Sequence, residues 1–307
     1  MYPHRTRPTV VAEIGCNHMG QMETARELIK VAKIFCEADY VKFQKRNPRE
    51  LLTPEQYNAP HPNPYHSYGR TYGEHREFLE LSKTQHRELA QFCRELGIGY
   101  ATSVWDLASA KEIVELNPVF IKIPSACNTN FEMLSYLCDE YAGDIHLSLG
   151  MTTREEEMRT VSFFAQRKRS KNLVLYACTS GYPVDHADVC LYEISRLIDT
   201  YGREVKEIGF SGHHKGIALD VAAFVLGATW IERHFTLDRT WKGTDHAASL
   251  EPDGLRRLIR DLAGTAKALS AKGQEILPVE VPQREKLKRG DSEAFLSSAK
   301  RVRSGGK

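Results

Sequence analysis

The chain has 307 residues, 42 Lys and Arg against 40 Asp and Glu, a formal net charge of +2, and 41% hydrophobic residues. That balance leaves no electrostatic footprint for nucleic acid, and no stretch approaches the ~18 consecutive apolar residues of a membrane span. The basic N-terminal residues run into a strand without an apolar signal core, and seven Cys are scattered without a CxxC spacing, so a cytoplasmic protein without a disulfide framework is expected.

In chain order, Thr9–Gly15 is a β-branched run, and Met22–Ala38 has helical apolar spacing through Ala25, Leu28, Ile29, Ala32 and Phe35. Strand-like runs recur at Asp39–Gln44, Gly97–Ser103, Pro118–Ile123, Asp144–Leu149, Asn172–Ala177, Glu207–Ser211 and Thr229–Arg233. Helical patterns lie between and after them, at Thr84–Leu96, Leu107–Leu116, Asn130–Tyr141, Thr153–Gln166, Ala187–Tyr201, Gly216–Leu226 and Pro252–Leu269. Parallel strands need helical crossovers, so eight such pairs predict an α/β fold of the (β/α)8 TIM-barrel type, assigned to residues 1–278. An open doubly wound sheet is the alternative, but no GxGxxG follows the first strand. Residues 45–82 form a long connection rich in Pro, Tyr and His that would overhang the barrel mouth. Residues 279–307 lose periodicity and are expected to be a disordered extension.

Chemistry in such a barrel sits at the C-terminal strand tips. Residues two apart share a face of a strand, so Ser211 with His213 and Glu232 with His234 project the same way. Two imidazoles from consecutive units describe an open divalent-metal site better than a closed structural one. Lys42 and Lys122 interrupt otherwise apolar strands, which is costly unless each ammonium meets an anion. The anion is either a ligand or an internal partner such as Glu13 or Asp245. Gln44, Ser125, Ser148, Thr179, Ser180 and Tyr182 complete the polar tips. Together these residues suit a small phosphorylated carboxylate beside a Lewis acid, without naming it.

Several motifs carry a family resemblance: AEIGCNHMG at 12–20, VKFQK at 41–45, IKIPSACNTN at 121–130, LSLGM at 147–151, CTSGYP at 178–183, GFSGHHKGI at 209–217 and ERHFTLDRTWKGTDHAASLEP at 232–252. They resemble the sialic acid synthases, and the wording is nearest to the animal-type members. The resemblance implies condensation of phosphoenolpyruvate with the open-chain aldehyde of a mannose-type sugar. The product is a nine-carbon 2-keto-3-deoxy acid, released with phosphate. By that likeness Lys42, Lys122, Ser125, Ser148 and Ser211 hold phosphoenolpyruvate, and His213 and His234 bind Mn2+ or Mg2+. Glu13 transfers protons through water, and Gln44, Tyr182 and Asp245 orient the acceptor.

Two departures bear on the acceptor. The family has an acidic residue where this chain has Cys127, which is placed in the substrate site with a thiol in place of a carboxylate. The family also carries a C-terminal antifreeze-like domain that, in a swapped homodimer, contacts the partner's N-acylated sugar. This sequence keeps the approach to it, ending near Glu285–Lys288, and the expectation is a homodimeric chain without that domain. Acceptor choice is therefore expected to have shifted, toward mannose, its 6-phosphate or another aldose. The alternatives are an octulosonate- or heptulosonate-phosphate type of synthase, or a non-catalytic barrel that binds phosphoenolpyruvate.

Overall fold

The computed structural model describes residues 6–288. Thr6–Ala266 form one compact unit around eight parallel strands that close into a barrel in sequence order. The strands are β1 (Thr9–Gly15), β2 (Tyr40–Lys45), β3 (Gly99–Val104), β4 (Phe120–Ile123), β5 (Asp144–Ser148), β6 (Leu173–Cys178), β7 (Glu207–Gly212) and β8 (Trp230–His234). The helices that cross between them begin with α1 (Met22–Lys30), continue through α2 (Pro48–Leu51), α3 (Pro54–Asn58), α4 (Tyr72–Leu79) and α5 (Lys83–Leu96), and then α6 (Leu107–Val114) and α7 (Phe131–Glu140). The remainder are α8 (Arg154–Gln166), α9 (Tyr192–Tyr201), α10 (Ala218–Val225) and α11 (Pro252–Ala268). The closed barrel agrees with the expected (β/α)8 topology and removes the open-sheet alternative.

Period-2 alternation within each strand stacks the barrel interior in layers, each drawn from alternate strands. Tyr40, Phe120, Tyr176 and Trp230 come from β2, β4, β6 and β8 and pack as rings, with Tyr40 to Phe120 at 5.4 Å and Phe120 to Trp230 at 5.5 Å between centroids. His146 of β5 stacks on Phe120 at 3.9 Å and meets Tyr176 Oη through Nδ1 at 2.9 Å. Each such aromatic pair adds about 0.5–1.5 kcal/mol beyond its burial. Gly209 of β7 leaves the space that these rings fill, since a Cβ there would stand 2.7 Å from Tyr176 Cε1. Two residues farther along the same even strands come Lys42, Lys122, Cys178 and Glu232, and the odd strands supply Glu13, Ser103, Ser148 and Ser211. An apolar plug thus floors a polar chamber, and strand register alone sets the boundary between them.

The boundaries that differ from expectation have local causes. α1 does not run to Ala38: from Val31 to Phe35 the backbone widens into a π-helix, which turns Phe35 outward to 47% exposure while Ala32 and Cys36 remain buried. The helix expected from Ala187 starts at Tyr192, because Cys190 adopts a left-handed φ of 52° after a 3-10 turn at His186–Asp188. The connection at 45–82 is not a bare loop. It holds α2, α3, a 3-10 turn at Pro64–His66, and α4, and Thr53 and Thr71 accept the N-cap hydrogen bonds of α3 and α4.

Beyond the compact unit Thr6–Ala266, the described residues from Lys267 to Lys288 fall in a second unit. Within it, Lys272 pairs with Glu280 at 2.7 Å, and α12 (Val281–Leu287) is helical. The extension predicted as disordered is therefore helical at its start, and residues 289–307 lie outside the described residues.

Candidate active site

A cavity of about 600 Å³ opens at the C-terminal ends of the strands, where Glu13, Lys42, Lys122, Ser211, His213 and His234 all reach it. Register explains the convergence. Glu13 is paired in the sheet with Lys42 on one side and with His234 on the other, while Ser103 is level with Lys122 and Ser211 with Glu232.

The floor of the cavity is a buried ion cluster. Lys42 Nζ lies 2.5 Å from Glu13 Oε2 and 3.6 Å from Glu232 Oε1, and it donates to Ser103 Oγ at 2.7 Å. Lys122 Nζ donates to Glu232 Oε2 at 3.3 Å and sits over the Tyr176 ring at 3.2 Å from its centroid. One carboxylate, Glu232, therefore bridges both ammonium groups, so the anions anticipated for the two lysines are supplied first by the protein. Burial raises Glu232, but Lys122 and Lys42 outweigh it and hold the group at about 2. Burial raises Glu13, with Lys42 opposing, and the net shift is upward. Burial opposes the Lys42 charge, but the same two carboxylates outweigh it and raise Lys42. Lys122 has fewer partners, and burial lowers it to about 8. Two carboxylates beside shared ammonium groups thus diverge, Glu232 shifted down and Glu13 shifted up.

On one flank His213 and His234 face each other with ring centroids 5.4 Å apart, and Tyr182 lies 4.3 Å from the His213 ring. His213 Nδ1 is 2.9 Å from the Thr179 carbonyl oxygen. A carbonyl only accepts, so Nδ1 carries the proton and Nε2 keeps its lone pair, the tautomer a metal ligand needs. Burial pushes His213 down to about 3, so it is neutral at physiological pH. His234 Nδ1 is buried without a hydrogen-bond partner. Among the described residues no group of three or more His, Cys, Asp or Glu is clustered to hold a metal ion. His213 Nε2 and the His234 ring are the two imidazole donors that would have to hold a divalent cation here, with the remaining positions left to water or substrate.

Gln44 Nε2 donates to Glu13 Oε1 at 2.8 Å, and Asp245 faces the same flank. The close approach depends on Gly15, whose φ is +56° and where a Cβ would stand 2.9 Å from Gln44 Nε2. Burial opposes the Asp245 charge, but His234, Arg46 and Arg76 outweigh it and lower the group. Ser125 Oγ accepts from the Gly150 backbone N–H at 3.0 Å, and Ser148 and Ser180 line the opposite wall.

One expected residue is misplaced. Cys127 does not line the cavity: the 3-10 turn Ser125–Cys127 turns its Sγ to the Trp105 carbonyl oxygen at 3.1 Å, and Ala126 faces the open space instead. Asn17 is likewise structural, since its Nδ2 ties the Phe235 carbonyl and Ser249 Oγ at 2.9 and 3.0 Å. Glu232 was visible as an acid two residues before His234, but alternation gives a face and not a partner. Ser103, Arg46, Trp105 and Arg76 line the cavity without having been anticipated. The signal for Ser103 was its place at the tip of β3, and that for Arg46 was a charge two residues beyond Gln44.

Residues 28–274 match the NeuB family. Human N-acetylneuraminate-9-phosphate synthase is 38% identical over 91% of this chain and 76% of its own length. N,N'-diacetyllegionaminic acid synthase of Campylobacter jejuni is 32% identical over 85% of this chain and 77% of its own length. Among solved structures, N-acetylneuraminic acid synthetase from Leptospira borgpetersenii in complex with citrate superposes with a TM-score of 0.76 at 27% identity, covering 93% of this chain and 94% of that one. With the family pattern spanning most of the barrel and relatives above 30% identity over nearly all of it, the chain belongs to the NeuB family.

Proposed function

We propose that this chain condenses phosphoenolpyruvate with the open-chain aldehyde of a mannose-type sugar, namely N-acetylmannosamine, mannose or one of their 6-phosphates. The products are a 2-keto-3-deoxy nonulosonic acid and inorganic phosphate. Family membership supports the reaction class. The observation that carries the reading is the arrival of two ammonium groups from β2 and β4 and two imidazoles from β7 and β8 in one cavity.

Donor binding is an exchange of anions. Lys42 and Lys122 give up part of their contact with Glu232 to the carboxylate and phosphate of phosphoenolpyruvate, and the hydroxyls of Ser125, Ser148 and Ser211 complete the cradle. A Mn2+ or Mg2+ ion held by His213 and His234 would polarise the aldehyde carbonyl. Gln44, Tyr182 and Asp245 orient the acceptor so that its carbonyl carbon faces the enol methylene. As the carbon–carbon bond forms, Glu13 delivers a proton through water to the aldehyde oxygen. Water then adds to C2 and Glu13 takes back a proton, after which the bond from C2 to the phosphate oxygen breaks. One phosphoenolpyruvate, one aldehyde and one water thus account for the product and the phosphate.

A homodimer in the cytoplasm completes the reading. All seven cysteines are free thiols, as a reducing compartment would keep them. The test is phosphate release from phosphoenolpyruvate with a panel of aldoses, with product mass, before and after chelation of divalent metal. A product one three-carbon unit longer than its acceptor is expected, with activity lost on chelation and restored by Mn2+ or Mg2+. His213→Ala and His234→Ala should abolish the metal response, and full activity in both would remove the metal from the mechanism. Release with no aldose at all would overturn the synthase reading.

A further inference from the structure

The two lysines of the floor are held in different ways. Lys42 Nζ is ringed by side-chain oxygens, with Glu13 Oε2 at 2.5 Å, Ser103 Oγ at 2.7 Å and Glu232 Oε1 at 3.6 Å. Its N–H donors are thereby committed within the protein. Among the described residues Lys122 Nζ has one oxygen within hydrogen-bond distance, Glu232 Oε2 at 3.3 Å. Its other close partner is the face of the Tyr176 ring, 3.2 Å from the centroid. A ring face attracts an ammonium through its quadrupole and has no lone pair to claim an N–H along a fixed line. Lys122 is therefore fixed in place while part of its donor capacity stays open to the cavity that it lines.

Tyr176 comes from β6 in the layer beneath Lys122 and is fully buried. Its sheet neighbour on β7 is Gly209, so its ring occupies space that any other side chain there would contest. Its Oη meets His146 Nδ1 at 2.9 Å, and the His146 ring is stacked on Phe120 at 3.9 Å and set edge-on to Trp230 at 4.6 Å. Burial pushes His146 well below its ordinary value, so one ring nitrogen carries a proton and the other does not. His146 Nε2 has no hydrogen-bond partner. If the Tyr176 hydroxyl donates to Nδ1, a single N–H is left unpaired, whereas the reverse direction strands both the hydroxyl proton and a ring nitrogen. The hydroxyl therefore donates. A donating phenol carries more electron density on its ring, which strengthens the hold of that face on a cation.

We propose that Tyr176 is a positioning residue for the donor: its ring face carries the Lys122 ammonium while the contact with Glu232 is exchanged for an anionic group of phosphoenolpyruvate. This rests on the synthase reading of the cavity, in which Lys122 meets the donor. An ammonium held by a carboxylate alone would lose its anchor in that exchange. One seated on a ring keeps it, because the ring lies outside the cavity lining and the anion arrives from the open side. His146 aims the ring, and neither side chain touches a substrate or takes part in bond making.

The experiment varies the electrons of the ring at nearly constant shape. Tyr176→Phe is prepared with ordinary phenylalanine and with phenylalanine carrying one or three ring fluorines, and Tyr176→Leu removes the ring altogether. Phosphoenolpyruvate binding is measured by calorimetry in the absence of aldose, and steady-state kcat and KM are measured for phosphoenolpyruvate and for the aldose. Kd and KM for phosphoenolpyruvate should rise stepwise with fluorine number, to about tenfold with three fluorines, and Tyr176→Leu should be at least as weak. The KM for the aldose should stay unchanged throughout. A packing role alone would spare the fluorinated series, whose rings fill the same space, and would be felt only in Tyr176→Leu. Melting curves check each variant, and the fluorinated series decides the outcome by itself if Tyr176→Leu does not fold. Phosphoenolpyruvate binding that is flat across the series, with turnover intact, would overturn the inference and leave the synthase reading standing. Stepwise weakening of that binding without turnover of any aldose would sustain the inference and overturn the synthase reading. A wild-type protein that does not bind phosphoenolpyruvate would overturn both.

Discussion

The floor and the rim of the cavity hold their buried charges on different parts of the fold. On the floor, Lys42 and Lys122 are neutralised internally by Glu13 and Glu232, with every group supplied by a barrel strand and fixed by register. At the rim, Arg46 stacks on Trp105 and lies 3.9 Å from Glu80, and Arg76, on the helical insertion, donates to the Tyr72 hydroxyl. A compensated floor is stable without ligand and must trade one anion for another when the donor binds. The ion pairs of the floor are thus fixed by barrel register, and those of the rim by the elements added to it.

The most direct way to break the contrast is to remove the compensation. Glu232→Gln keeps the shape but leaves both ammonium groups without their bridging carboxylate. Breaking a buried pair costs about 3 kcal/mol at the low end, which in a chain of this size lowers Tm by roughly 6–12 °C. Turnover should fall by about 10³, because the two lysines lose the partner that aims them at the donor. Calorimetric melting and phosphate-release assays check both effects. A variant with wild-type Tm and activity would mean that the floor is not held by charge exchange at all.

Much of this floor was legible in the sequence. Lys42 and Lys122 stood out as charges inside apolar strands, and Ser211 with His213 followed from alternation. Glu232 was equally visible, but its role depends on two lysines contributed by strands 110 and 190 residues earlier in the chain, which only closure of the barrel brings together. The rim was not legible for a different reason. Arg46, Trp105 and Arg76 meet only because the 45–82 segment folds into capped helices, and neither proline-rich composition nor loop length specifies that packing. Phe35 failed as a core residue because a π-helix adds one residue to the turn, a shift that apolar spacing does not encode.

A pH series sharpens the same contrast. Lys122 is lowered by burial to about 8, so in the free enzyme its ammonium is present below pH 8 and is lost as pH rises through that value. KM for phosphoenolpyruvate should then rise up to about tenfold per pH unit above 8, while kcat follows at higher pH because the bound anion favours the charged lysine. Stability should move the other way. A lysine whose folded pKa is depressed weakens the fold where both states are charged, below pH 8, and that penalty is relieved as pH climbs from 8 toward 10.5. Guanidinium groups do not titrate in this range, so KM for the aldose should stay flat over the same interval. Parallel rises in both KM values would show that floor and rim are not electrically separate.

The smallest effect expected is at Cys127, the position where the sequence departs from the family pattern and where substrate contact was anticipated. Its thiol points to the Trp105 carbonyl oxygen and is buried away from the cavity, and burial pushes its pKa up to about 12. Cys127→Ala removes one weak donor and a small buried volume, which costs about 1 kcal/mol and little else. The kcat/KM for the aldose should change by less than twofold. A large change would mean that Cys127 sets the tilt of Trp105, and through it the plane of Arg46. Specificity would then pass from the turn after β4 to the rim through a single aromatic ring, and the two regions would be coupled where they now look independent.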